Sequence, residues 1–189
     1  MPPLPDRVRH EFAVLALGYY ASGRLALRAR AGPLVSAHIL HHAVEFVLKA
    51  VLARHTTLAE MKKFGHRLPD LFDAAQTRSS ELRSVEHQST ASLLHELWEL
   101  RFPDRILDDG ASFSFTPGEL TDELRAEALA GSPKGYVLEL ARIDRLFCSG
   151  FRGAGLNPLA FTQRLGPDAF EALRVENPES AFLGQRRTV

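Results

Sequence analysis

The sequence predicts an all-α protein, an up-and-down helical bundle of about five to six helices, with one small β-hairpin near residues 106–115 and an extended C-terminal arm. Three observations predict it. Apolar residues recur every three or four positions over long stretches. Proline and glycine punctuate those stretches where helices should begin and end. Residues 34–52 are apolar around most of a helical circumference, as the middle of a bundle requires. A chain of 189 residues can bury a core without staples, and residues 1–150 are read as the bundle, with 151–189 as the arm.

The first helix is expected from Val8 to about Arg30, with Val8, Phe12, Leu15 and Tyr19 on its apolar face and Ala26 returning to it. Gly32-Pro33 breaks the pattern, and Pro33 suits the first turn of a second helix reaching about His55. Gly65-His66-Arg67-Leu68-Pro69-Asp70 reads as a loop entering a third helix over 69–77. A fourth is expected from Ser80 to Phe102, stopped by Pro103, because the residue before a proline disfavours helical geometry. Asp108-Asp109-Gly110, followed by the alternation Ser112-Phe113-Ser114-Phe115, suggests the hairpin. Thr121 is a good N-cap for a short helix with Asp122 and Glu123 in its first turn. Ser132-Pro133 is read as opening a further helix closed by Gly150, and the arm carries one short helix near 167–175.

Composition narrows the function classes. The 23 basic and 23 acidic residues cancel, so nothing draws the whole chain to nucleic acid or membrane. Locally, residues 1–55 hold seven Lys/Arg against three Asp/Glu, which leaves an anion site in the first third open. Cys148 is the only cysteine, so neither an internal disulfide nor a thiolate cluster can form, in keeping with a reducing compartment. Met1-Pro2-Pro3-Leu4-Pro5-Asp6 does not read as a secretory signal. The histidines and charges within 34–52 argue against a membrane span, and a cytoplasmic protein is expected.

The second helix carries the most informative pattern. At about 100° per residue, His38, His41, His42, Glu45 and Lys49 fall within an arc of about 100°. The stripe reads as a solvated edge with Glu45 and Lys49 paired at i,i+4, or as a functional groove or dimer seam. His38 and His42 also have the spacing with which two imidazoles reach one metal ion, Glu45 following, with His66 or His95 as further ligands. On the first helix Tyr20, Arg24 and Arg28 stack at i,i+4 spacing and could present an aromatic face and guanidinium groups to a phosphate or nucleobase. His66 stands ahead of a helix, as a cap or loop clamp or as part of a site. The glycine-rich run 150–155 follows a helix rather than a strand and lacks the Gly-Lys-Ser/Thr ending of a phosphate loop. There is no Gly-x-Ser-x-Gly elbow to anchor a hydrolase triad.

Four pieces in order carry a resemblance: Tyr19-Tyr20-Ala21, then His42-Ala43-Val44-Glu45-Phe46-Val47-Leu48-Lys49-Ala50-Val51-Leu52, then Gly65-His66-Arg67-Leu68-Pro69-Asp70-Leu71, then Leu100-Arg101-Phe102-Pro103. Together they resemble the HEPN superfamily of small helical bundles, over roughly residues 8–103. The resemblance implies nucleotide or RNA binding, homodimers, toxin–antitoxin or defence roles, and in many members a nucleotidyltransferase partner. Glu45, Lys49 and His66 match family-like positions. The ribonuclease branch uses an Arg followed by four to six residues and a His, and that spacing is absent: Arg83 to His87 is too close and Arg30 to His38 too far. A non-catalytic module that binds a nucleotide or RNA-type anion or a protein partner, without a cofactor, is therefore expected. The alternatives are a divergent metal-independent ribonuclease using His38, His42 or His66, and a metal-binding bundle built on His38 and His42.

Overall fold

The computed structural model describes residues 3–101, 111–130 and 134–183. Within them the protein is mostly helical, with one small parallel sheet. Helices α1 (Asp6–Arg28) and α2 (Pro33–Leu52) pack along their lengths. The amide of Leu4 donates to the carbonyls of Ala53 and Thr56, so the start of α1 lies beside the end of α2 and the pair is antiparallel. Helices α3 (Leu58–Phe64) and α4 (Leu68–Gln76), a 3-10 turn at Ser80–Leu82 and α5 (Val85–Glu99) follow. Strand β1 (Ala111–Thr116), helix α6 (Asp122–Leu129), strand β2 (Lys134–Glu139) and helix α7 (Leu140–Gly153) come next. Three short helices close the described chain: α8 (Leu159–Thr162), α9 (Pro167–Ala172) and α10 (Ser180–Leu183).

Helix α2 is the core rod that its composition requires, with Leu40, Ala43, Val44, Val47 and Leu48 buried among neighbours on several sides. Among the described residues it is the one helix long and apolar enough to cross a membrane, and most of it is buried inside the protein. Helix α1 turns a different face inward from the one expected. Leu15 and Tyr19 are exposed and Phe12 is half-buried, while Ala13, Ala16, Leu17, Tyr20 and Ala21 face the core. The reason is close approach: a Cβ at Gly23 would stand 2.7 Å from a Leu40 side-chain carbon, so small residues line the α1–α2 seam.

The remaining expectations meet mixed outcomes. The helix expected over 80–102 is divided. Ser79 caps the 3-10 turn through its side chain, and Ser84 is extended with φ −140° before α5 begins. An unexpected helix, α3, opens with a capping box in which Thr57 and Glu60 satisfy each other's amides. Thr121 does cap α6, accepting from the amide of Leu124. The turn at Asp108-Asp109-Gly110 lies outside the described residues, and so does Ser132-Pro133. Among the described residues, the strand after the first of these, β1, has a parallel partner and not an antiparallel one. It pairs in parallel with β2, Phe113 opposite Tyr136, across helix α6. Residues 134–139, expected within that helix, are strand β2, and α7 starts only at Leu140. Gly150 does not end α7. It lies inside it, where a Cβ would meet Val47 at 2.8 Å, and so lets α7 press on α2.

Residues 156–183 pack on the core through Phe161, Leu173 and Leu183. A buried polar network fastens them. Arg24 donates to both oxygens of Asp144 at 2.5 Å, to the carbonyl of Ala172 at 2.6 Å and to that of Val175 at 2.5 Å. Tyr20 donates to Asp144 at 2.6 Å, and Asn177 donates to the Tyr20 hydroxyl at 2.9 Å. Removing one member of a buried ion pair leaves the other charge uncompensated, at a cost of about 3–5 kcal/mol. Arg24→Ala is therefore expected to destabilise the protein by about that amount and to expose residues 156–183 to protease, whereas Arg28→Ala, at an exposed position, should change stability by less than about 0.5 kcal/mol. Chemical denaturation and limited proteolysis of the two variants check this, and equal behaviour would contradict it.

Candidate functional site

The site is built around one carboxylate. Helical geometry places His41 and His42 one turn before Glu45 and Lys49 one turn after it, all on one side of α2. Glu45 is 1% exposed. Its Oε1 accepts from the Lys49 ammonium at 2.5 Å, and its Oε2 accepts from His42 Nδ1 at 3.2 Å. The third donor comes from outside the helix: His66 Nδ1 reaches Oε2 at 2.9 Å and Oε1 at 3.1 Å. Its placement follows from local sequence. The capping box fixes the start of α3, Gly65 ends α3 with φ +55°, a conformation glycine adopts without strain, and Pro69 sits in the first turn of α4. His66 is held between the two helices.

Aromatic rings wall the cluster. Trp98 of α5 stacks on His41 with centroids 4.9 Å apart and an interplanar angle of 10°. The same indole meets His66 at 5.6 Å and His95 at 5.8 Å, and the Arg101 guanidinium lies 3.3 Å from its centroid. From α1, Tyr19 packs on His42 at 5.4 Å and on Phe46 at 5.6 Å. His42 is about one-third exposed and His66 about half, so the cluster opens to solvent along these two imidazoles.

Electrostatics separate the members. Burial alone would raise the Glu45 pKa, but the hydrogen bonds from His42, Lys49 and His66 outweigh it and bring the carboxyl down to about 2. Glu45 is therefore an anion at neutral pH. His41 behaves in the opposite sense. Burial pushes it down to about 3, and the attraction of Glu45 does not reverse this. It is a neutral imidazole with 0% exposure, and neither ring nitrogen has a hydrogen-bond partner among the described residues. Its Nδ1 lies 3.9 Å from Glu45 Oε2, beyond hydrogen-bond reach. Leaving a buried polar atom unpaired costs about 1–3 kcal/mol.

The structure thus brings together His41, His42, Glu45, Lys49 and His66 from the residues singled out in the sequence. His38, one turn earlier, is engaged with the carbonyl of Leu97 through Nε2 at 3.0 Å. Tyr20 and Arg24 lie in the Asp144 network, buried and with their polar groups used inside the protein. Arg28 lines a separate hollow of about 440 Å³ with Arg24, Arg30 and Phe115. Sequence reasoning did not single out Tyr19, Trp98 or Arg101 as part of a site. The lone tryptophan three residues after His95, on one helix face, was the available signal. Phe102 and Pro103 lie outside the described residues. No protein-family model, no curated protein and no solved structure matches this chain.

These protonation states have a consequence for stability. Unfolded His41 takes up a proton near its ordinary 6.5 and folded His41 only near 3, so its contribution is intact above about 6.5 and is lost as the pH falls toward 3. Glu45, ordinarily 4.5 and about 2 when folded, adds a second loss as the pH falls from 4.5 to 2. The protein is expected to lose stability on acidification from pH 6.5 downward. His41→Phe, which keeps a ring on Trp98, should flatten the slope between pH 6.5 and 4.5 by up to about 1.4 kcal/mol per pH unit. Denaturation curves across that range measure it, and unchanged slopes would rule out a buried neutral His41.

Proposed function

We propose that the chain is a HEPN-like helical bundle module of the cytoplasm that binds a nucleotide- or RNA-type anion without cleaving it. It works as a homodimer, in a toxin–antitoxin or defence setting, beside a nucleotidyltransferase partner. One observation carries the reading. His42, Lys49 and His66, from two of the segments that resemble the family, converge on the Glu45 carboxylate at a solvent-open edge. Tyr19, Trp98 and Arg101, from the other two or immediately beside them, flank the same cluster. Cationic and imidazole donors suit phosphate oxygens, and the Tyr19 and Trp98 rings suit a nucleobase.

A second reading has its own support. His42 and His66 lie 5.8 Å apart, ring to ring, and each gives its Nδ1–H to Glu45, which leaves Nε2 as the basic nitrogen of both. Two imidazoles so held are what general acid–base cleavage of RNA requires, one to take the 2′-hydroxyl proton and one to protonate the leaving oxygen.

Labelled single-stranded RNA and nucleoside triphosphates, titrated at low salt, test both readings. The binding reading expects salt-sensitive association, a loss of roughly tenfold or more for Trp98→Ala, weaker binding for His66→Ala, and RNA that remains intact under excess protein. Cleavage that falls roughly 100-fold or more in His66→Ala would favour the ribonuclease. Absence of binding and of any thermal shift would count against both.

A further inference from the structure

We propose that His41, His42 and Glu45, closed on the solvent side by His66, form a binding site for a divalent transition metal of the zinc class. This goes beyond the anion-binding reading and does not depend on it.

Donor geometry is the first argument. A nitrogen from each of His41 and His42 and a carboxylate oxygen of Glu45 lie within 4.8 Å of one another. Three imidazole nitrogens surround the single atom Glu45 Oε2, at 2.9 Å for His66, 3.2 Å for His42 and 3.9 Å for His41. In a tetrahedral zinc site with bonds of about 2.0–2.1 Å, neighbouring donor atoms stand about 3.3 Å apart, so these separations bracket the value a shared ion needs. Lys49 occupies the other oxygen, Oε1, which leaves Oε2 as a monodentate ligand.

His41 is the second and independent argument. It is fully buried, both its nitrogens lack hydrogen-bond partners among the described residues, and its plane is fixed by the Trp98 stack. A hydrogen bond to Glu45 explains the orientation of His42 and of His66, but not of His41. A metal ion beside Oε2 uses the Nδ1 that nothing else uses. His42 and His66 become ligands by passing their Nδ1 proton to Nε2, a tautomer change that leaves each ring neutral. Imidazoles with one carboxylate suit zinc, nickel or copper rather than magnesium or calcium, which take oxygen ligands. The exposed edges of His66 and His42 supply the route in.

Untagged protein, purified without chelator, is analysed for metal. After removal of metal it is titrated with Zn²⁺ against a chromophoric chelator, and with Co²⁺ by visible absorption. The expected results are about one zinc per chain, a raised melting temperature on zinc addition, and the strong absorption of a tetrahedral cobalt site. His66→Ala, at an exposed position, should weaken zinc binding roughly tenfold or more while the protein remains folded. His41→Asn should abolish the cobalt band. If that variant does not fold, His42→Ala carries the test. Metal far below one per chain together with no thermal shift would overturn the proposal, as would a cobalt spectrum unchanged by these substitutions. RNA binding measured on the metal-free protein keeps this outcome separate from that of the anion-binding reading.

Discussion

A carboxylate taken out of water must be met by donors or lose its charge, and Glu45 is taken out of water almost completely. That constraint organises the first half of the protein. Helix α2 can supply His42 and Lys49 because they lie one turn to either side, but the helix cannot surround the carboxylate by itself. The third donor has to arrive from elsewhere, and the α3–α4 connection delivers it: a capped helix, a glycine in the left-handed region, then His66, then a proline that starts the next helix. Helix α5 completes the enclosure with Trp98, whose ring covers His41 and touches His66. The polar stripe of α2 is therefore packed between helices at His41 and Glu45 and meets solvent at His42.

A second buried charge governs the other half. Asp144 lies on α7 and is fully buried; its partner Arg24 comes from α1. Two of the Arg24 donors go on to carbonyls of Ala172 and Val175, so one side chain joins the α1–α7 contact to the chain after residue 156. The two networks sit at different places on the fold and differ in kind. The Arg24 network is shut in, and its donors and acceptors satisfy one another. The Glu45 cluster is open along His42 and His66 and keeps an unpartnered imidazole within it. Of the two, only the second combines, among the described residues, an edge open to solvent with a buried group that has no hydrogen-bond partner.

Much of this was legible in the residues. The apolar circumference of 34–52 marks a core rod, and Gly32-Pro33 marks where it begins. The arc of His41, His42, Glu45 and Lys49 was readable from helical spacing alone, and His66 from its place before a helix. Other features were out of reach for physical reasons. Tyr136-Val137-Leu138 is a short apolar run, and such a run does not tell strand from helix; only pairing with β1 across α6 decides it. The inward face of α1 is hidden from periodicity because large apolar residues outweigh alanines there, whereas close approach to α2 selects the alanines and Gly23. The role of Arg24 could not be foreseen, since an arginine at i+4 from a tyrosine looks the same whether it faces water or a buried aspartate 120 residues away. The Thr57–Glu60 capping box, in contrast, is a signal the sequence carries at the right spacing for a helix start.

The most direct test is nitrogen-15 NMR of the histidine side chains, recorded through an acid titration of the metal-free wild-type protein and of metal-free Glu45→Gln. His41 is expected to remain unprotonated down to about pH 4, and His42 and His66 each to show an Nδ1–H held in a hydrogen bond that Glu45→Gln disrupts. Ordinary titration of His41 near 6.5, with side-chain signals of His42 and His66 indifferent to Glu45→Gln, would contradict it.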